Sequence, residues 1–225
     1  MAASYLTMKT ISAIEVQKKD PNRVNIYLDG EFAFGLSRIV AAWLKTGQQL
    51  EDGKIAQLQT DEARERAYQQ AMLYLSYRAR SEAEIRQNLR KHEYPDEVIE
   101  ETLERLRQAR LADDNEFARV WVENRSTFRP RSRMLLAMEL RQKGLSDEAA
   151  QSALGEVDEL ALAYEAARKR VNRLKGLEWA EFRKKLSDFL ARRGFPYAVI
   201  APTVSRIWNE TYSGQEQTFD DEESI

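Results

Sequence analysis

The chain predicts a mainly α protein, a tandem array of three three-helix repeats preceded by a small β-meander with one helix, and three observations carry that prediction. In the stretch from Tyr74 to Asp114, two amphipathic helical stripes meet at a break. The same stretch recurs twice at near-constant spacing. Apolar residues before about position 60 alternate with period two, whereas those after it follow a helical period.

Residues 1 to 8 carry no pattern and are expected to lack order. From Thr10 the period is two. Ile14 and Val16 close a first strand, Asp20-Pro21-Asn22 turns the chain, and Val24, Ile26 and Leu28 alternate towards Asp29-Gly30. A two-residue loop there would set Leu28 against Glu31 and Ile26 against Ala33. A three-residue loop, with Gly30 left-handed and a bulge, sets Leu28 against Phe32, Ile26 against Phe34 and Val24 against Leu36. The second register gathers the apolar side chains on one face and is the one expected. Ser37 then suits the N-cap of a helix carrying Ile39, Val40, Trp43 and Leu44, closed by Gly47 and able to lie on the meander. With Leu50 to Thr60 as a charged connector, residues 1 to 60 form a first, separable unit.

Residues 61 to 114 make the first repeat. A helix from about Asp61 to Arg78 places Ala67, Ala71, Tyr74 and Leu75 on one face. Ser81 with Glu84 three residues on has the spacing of a capping box, and Ile85 and Leu89 behind it share a face. Tyr94-Pro95 ends that helix, because the residue before a proline is pushed out of the α region. Val98, Ile99, Leu103 and Leu106 then form a stripe, with Glu97, Glu100, Glu101 and Glu104 on the other faces.

Shifted by 51 positions, Ile85, Leu89, Tyr94, Val98 and Leu103 fall on Leu136, Leu140, Leu145, Ala149 and Leu154; a further 50 reaches Leu186, Leu190, Phe195, Val199 and Val204. The break recurs in register as Glu93-Tyr94-Pro95, Gly144-Leu145-Ser146 and Gly194-Phe195-Pro196, so the central residue of each is expected to be buried. The second repeat, 115 to 159, is capped by Asp113-Asp114 and opens with Phe117, Val120 and Trp121. A basic linker from Arg125 to Arg133, with Phe128 and Pro130 inside it, leads to Leu136 and Leu140. The third repeat, 160 to 212, opens with Leu160, Tyr164, Ala167 and Val171. It continues through Trp179, Phe182, Leu186, Phe189 and Leu190 and ends with Val199, Val204, Ile207 and Trp208. The remaining 213 to 225, SGQEQTFDDEESI, is polar and acidic, and disorder is expected.

With no cysteine, the 225-residue chain has no disulfide or thiolate metal site and suits a reducing compartment. Uncharged runs such as Ile39 to Leu44 are too short to span a bilayer, and Met1 to Lys9 lacks the apolar core of a signal peptide, so a cytoplasmic protein without a membrane partner is expected. The only histidine, His92, sits at a frayed helix end between Lys91 and Glu93. Too few members therefore exist for a histidine-dependent triad or a His/Cys metal site, and the nine scattered glycines form no phosphate-cradling loop. Carboxylate pairs such as Glu100 and Glu101 lie on solvated faces with no apolar pocket to raise a pKa. A binding protein without catalytic residues, cofactor or metal is what remains.

The net charge of −2 hides an uneven distribution. Six basic residues face the single Glu139 between Arg125 and Leu145, and ten face four acidic ones between Tyr164 and Gly194, whereas Glu93 to Glu116 holds nine acidic and three basic. The expected partner surface is therefore Arg78 and Arg80 of the first repeat, Arg125, Arg129, Arg131, Arg133, Arg141 and Lys143 of the second, and Arg168, Arg173, Arg183, Lys184 and Lys185 of the third. Helical geometry leaves Arg183 and Lys185 flanking an apolar face and Lys184 opposite it. Arg129, Arg131 and Arg133, in or beside a linker, are expected to point outward.

Tyr74-Leu75-Ser76, Arg78, Arg80-Ser81-Glu82, Glu84-Ile85, Leu89, Val98-Ile99, Leu103, Leu106, Asp113-Asp114, Phe117-Ala118 and Arg125, then Glu139-Leu140 and Lys143-Gly144, resemble the RecX family of RecA recombinase regulators over roughly residues 60 to 210. NIYLDGEFAFGLS looks like the N-terminal extension of the family's longer members. Glu93 and Arg110 stand where the family commonly has glycine, as does Ser132. The resemblance implies a curved array of three three-helix repeats that binds the RecA nucleoprotein filament in its groove or at its growing end; a monomer is expected. Such binding would lower RecA's DNA-dependent ATPase, its strand exchange and its support of repressor self-cleavage in recombination and the SOS response. Two other classes compete with it. One is a nonspecific single-stranded nucleic-acid-binding protein that uses the basic second and third repeats and stacks a base on Phe128, against which stand the negative net charge and the acidic tail. The other is a helical scaffold with no nucleoprotein role.

Overall fold

A computed structural model of the chain describes residues 8–212; the disorder expected for 1–7 and for the tail 213–225 lies outside the described residues, while Met8 opens the first strand. The described residues divide into two compact units that part between Ala112 and Asp113.

In the first unit, β1 (Met8–Val16), β2 (Arg23–Leu28), β3 (Glu31–Ser37) and β4 (Gln49–Glu51) form an antiparallel sheet in the order β3-β2-β1-β4. Alternation puts Ile11, Val24, Ile26, Leu28, Leu36 and Leu50 in its core. The hairpin corrects the expected register at its tip. Asp29 and Gly30 both take positive φ, 52° and 92°, as a two-residue loop requires, so Leu28 pairs with Glu31 and Tyr27 with Phe32. The extra residue enters one step later as a bulge, after which Ile26 faces Phe34 and Val24 faces Leu36 as expected. Phe32 consequently leaves the core face and sets its ring edge-on to Tyr27.

Residues 38–43 form turns rather than the expected helix, with Ile39 and Trp43 exposed and Ala41 the buried anchor. A helix so short is marginal without a buried face. The sheet is covered instead by the start of α1 (Asp52–Ser76), whose Ile55 and Leu58 join the sheet core. This helix runs unbroken through position 60. Its Glu62 is buried, accepting from the Ser37 amide and from Arg23 Nη1, each at 2.6 Å.

Beyond that point α1 packs with α2 (Glu82–Lys91) and α3 (Asp96–Gln108) around Ala67, Ala71, Ile85, Leu89, Val98, Ile99, Leu103 and Leu106. The second unit holds α4 (Asp114–Phe128), α5 (Arg133–Gln142) and α6 (Asp147–Leu154), then α7 (Glu159–Val171), α8 (Trp179–Arg192) and α9 (Tyr197–Tyr212). One continuous core runs from Phe117 to Ile207. Ser81, Ser132 and Ser146 each accept from the amide three residues on, and Asp113 and Asp158 cap α4 and α7.

The three breaks have one geometry. The amides of Tyr94, Leu145 and Phe195 donate to the carbonyls of Leu89, Leu140 and Leu190 at 3.3, 3.2 and 3.3 Å. Those of Glu93, Gly144 and Gly194 close the inner turn with φ of 63°, 81° and 83°. These are Schellman motifs, and the left-handed residue of each re-aims the chain into the next helix. Leu145 and Phe195 are buried and Tyr94 is half-buried. Two expected stripes rotate. Val120 and Leu160 are exposed, and α7 buries Leu162, Ala163 and Ala166 beside the expected Ala167, a small-residue face on which α9 packs.

Candidate functional site

The basic linker is shorter than expected, because α4 continues to Phe128 and carries Arg125 on its last turn; only residues 129–132 are loop. Glu139 of α5 organises this segment. Its carboxylate accepts from Trp121 Nε1 at 2.9 Å, Arg125 Nε at 2.7 Å and Arg131 Nη1 at 2.6 Å. Arg125 and Lys143 also stand over the Trp121 ring, 4.5 and 5.1 Å from its centre. Arg131 is thus not free to point outward, because the Glu139 carboxylate already holds it. Arg129 and Arg133 are exposed, and their side chains make no ion pair or hydrogen bond among the described residues.

Against this loop comes the end of α8. Arg193 is half-buried, lies 4.9 Å from the centre of the Phe189 ring and donates to the Pro130 carbonyl at 2.8 Å. Burial, then the charges of Arg131 and Arg129, push its guanidinium below the ordinary arginine value. From α7, Arg170 reaches the same Phe189 ring at 5.6 Å and Lys169 donates to the Thr127 carbonyl. Five cations, Arg129, Arg131, Lys169, Arg170 and Arg193, therefore meet around the α4–α5 loop, and Glu139 is the carboxylate that pairs with one of them among the described residues. Such a cluster can take an anion with several oxygens, and its four arginines carry the planar donor forks that phosphate and carboxylate fit.

The other expected residues lie elsewhere. Arg78 is bound bidentately by Glu84, and Arg80 covers the Tyr74 ring at 4.0 Å. Arg141 pairs with Asp147, Arg168 lies 3.6 Å from Glu165, and Lys185 pairs with Glu181. Arg173, Arg183 and Lys184 are exposed without such partners among the described residues. In the first repeat the acidic excess is largely absorbed, since Arg64 pairs with Glu101, Arg86 with Glu100, Arg90 with Asp96, Arg105 with Glu65 and Arg107 with Glu82 and Glu104. Arg193, Lys169 and Arg170 were missed as site residues. The doublet Arg192-Arg193 just before the left-handed Gly194 was the available signal, because a break exposes the last turn of the helix it ends.

Among the described residues no group of three or more His, Cys, Asp or Glu is placed to hold a metal ion. No helix there is long and apolar enough to cross a membrane.

Four family models match in succession: the regulatory protein RecX N-terminal domain over residues 9–51, and the RecX first, second and third three-helix domains over 67–106, 113–154 and 156–202. Among similar proteins, the regulatory protein RecX of Bacillus pumilus is 33% identical over 220 residues, covering 96% of this chain and 82% of the relative. That of Amycolatopsis mediterranei is 37% identical over 169 residues, 74% of this chain and 96% of the relative. A crystal structure of a regulatory protein RecX superposes with a TM-score of 0.68 at 31% identity, over 85% of this chain and 96% of that one. RecX from Lactobacillus salivarius shares the fold, with a TM-score of 0.59 at 23% identity over 65% and 97% of the two chains.

Proposed function

Because this chain belongs to the RecX family of regulatory proteins, we propose that it is a non-enzymatic regulator that binds the RecA–DNA filament and inhibits its ATPase, strand exchange and repressor-cleavage support. The observation that carries the proposal to a surface is the meeting of Arg129, Arg131 and Arg193 around the α4–α5 loop with Glu139 as counter-charge. Like charges held together raise the energy of the free protein, and an anionic partner offsets that cost on binding. A nucleoprotein filament offers both phosphates and carboxylates. We place the protein in the cytoplasm, in keeping with a chain that has no cysteine, and expect it to act as a monomer.

Binding compared across bare single-stranded DNA, RecA alone and the RecA–DNA filament tests this reading. The filament should bind most tightly and its ATPase should fall as the regulator is added. Equal affinity for bare DNA, with the ATPase unchanged, would overturn it in favour of nonspecific nucleic-acid binding.

A further inference from the structure

We propose that the cleft between α8 and the start of α9 is a nucleotide subsite, which stacks one unpaired base on Trp179 and Tyr197 and holds its phosphate with Arg183 and Lys184. The proposal concerns nucleic acid itself, at a place distinct from the α4–α5 loop.

Two joined hollows share Trp179, Arg183, Ser187 and Tyr197, with volumes of about 450 and 190 Å³. The larger falls within the roughly 300–1,000 Å³ of small-ligand sites. Its walls carry two exposed aromatic residues. Trp179 is 37% exposed and Tyr197 69% exposed, two aromatic faces left open to water beside one hollow. Trp179 is nevertheless held in place, edge-on to Trp208 with ring centres 5.1 Å apart, and Trp208 is fixed in turn by Phe182 at 5.0 Å and Tyr212 at 4.0 Å. A stacking platform needs this rigidity, because ordering a mobile ring would subtract from the binding energy.

The charges complete the argument. Arg183 and Lys184 line the cleft and make no ion pair among the described residues, whereas Lys185, next along the helix, pairs with Glu181 at 2.6 Å. Arg183 and Lys184, open like Arg129, Arg133 and Arg173 elsewhere in this unit, are thus cations that stand beside the aromatic faces. Asp188 lies on the same wall and can accept a hydrogen bond from an N–H on a base edge, such as the N3–H of thymine. Planar stacking surface, paired cations and an edge acceptor together match a nucleotide more closely than an acidic peptide, which would use the cations and leave the rings uncovered.

The test uses the full chain, a labelled oligo-dT of about 15 nucleotides and the intrinsic tryptophan emission. Binding should quench the emission, and Trp179→Phe should lose most of that quench while keeping a native melt. Tyr197→Ala should weaken binding roughly 5- to 150-fold, the value of one base stack. Arg183→Ala with Lys184→Ala should lower the slope of log affinity on log salt by about 1.4, two single-strand phosphate contacts. Lys185→Ala should change neither. Tyr197 and both cations are exposed, so their variants keep the fold. Unchanged affinity and quench in Tyr197→Ala and in the double variant would overturn the proposal, as would no oligonucleotide binding by the wild-type chain at low salt. Competition by polyglutamate as strong as by oligo-dT would also overturn it, making the cleft a general anion site. ATPase inhibition by the wild-type chain is read separately: if it persists while these oligonucleotide results fail, the subsite falls and the filament reading stands.

Discussion

Arg193 reaches from the end of α8 to the α4–α5 loop and donates from Nη1 to the Pro130 carbonyl at 2.8 Å. The return link is backbone to backbone, from the Ser132 amide to the Arg193 carbonyl at 3.0 Å. Two segments 63 positions apart are thus held together where the arginines crowd. The loop's conformation is set by the third repeat, so the basic cluster is a property of the two repeats jointly.

Gly194 is the pivot of that contact. Its φ is 83°, and a Cβ there would meet Ser132 Oγ at 2.5 Å and Leu135 Cγ at 2.6 Å. Gly194→Ala should therefore cost about 2 to 4 kcal/mol, strain and overlap together. Gly47→Ala is the control, because Gly47 has φ of 88° with nothing within 4 Å, and should cost about 1 to 2 kcal/mol. Equal losses in denaturant melts would mean that the close approach of loop and break contributes nothing.

Glu93 and Arg110 take the left-handed conformation, at φ of 63° and 56°, where a side chain is strained. Glycine removes about 1 to 2 kcal/mol of that strain at each but frees the unfolded chain, so Glu93→Gly and Arg110→Gly should each stabilise by about 0.5 to 1 kcal/mol. Differential scanning calorimetry checks this; a fall in Tm for both would contradict the break geometry.

Leu145→Ala and Phe195→Ala should each cost about 2 to 5 kcal/mol, because both side chains fill the core of the second unit. Tyr94→Ala, at a half-buried ring packed on the first repeat's core, should fall at or below the lower end. Melts unchanged from wild type in all three would contradict the equivalence of the breaks.

Separability of the β unit depends on α1, which serves both cores. Cutting near Gln57 leaves the helix's first-repeat face of Ala67 and Ala71 intact, but exposes Leu58 and strips Glu62 of Arg23 and the Ser37 amide. We expect the shortened chain to fold at reduced stability, with its helical circular dichroism retained. In the full chain, Arg23→Ala should cost about 2 to 4 kcal/mol, because it leaves the buried Glu62 with one partner fewer. Loss of the helical signal on truncation would mean that sheet and first repeat cannot be parted.

The repeats were legible because their breaks carry turn chemistry at fixed offsets, and a left-handed residue followed by Leu, Tyr or Phe is a strong local signal. Less was legible where tertiary packing chose among weak local options. Ala167 of α7 is buried as expected, but Ala163 and Ala166 beside it were less legible than Leu160, since alanine signals burial faintly although it permits close helix packing. β4 has three residues, too few to show alternation. Ser37 looked like a helix cap because its motif is common, yet its amide is taken by Glu62, 25 positions away. The basic surface was visible as composition, but which cations stay open depends on Glu139, Glu181 and Asp147 reaching particular partners. No spacing rule places Arg193 against Pro130.

The most direct measurement is inhibition of the RecA–single-stranded DNA ATPase by wild type, by Arg129→Ala with Arg133→Ala, and by Arg119→Ala. The first two arginines are exposed and open among the described residues, and Arg119 is an equally exposed cation of the same unit already held by Glu116 at 2.6 Å. All three proteins should melt within about 0.5 kcal/mol of one another. The double variant should lose inhibition at least several-fold and show a flatter salt dependence, while Arg119→Ala should inhibit like wild type. Equal inhibition by all three proteins would contradict the assignment of filament binding to the α4–α5 loop.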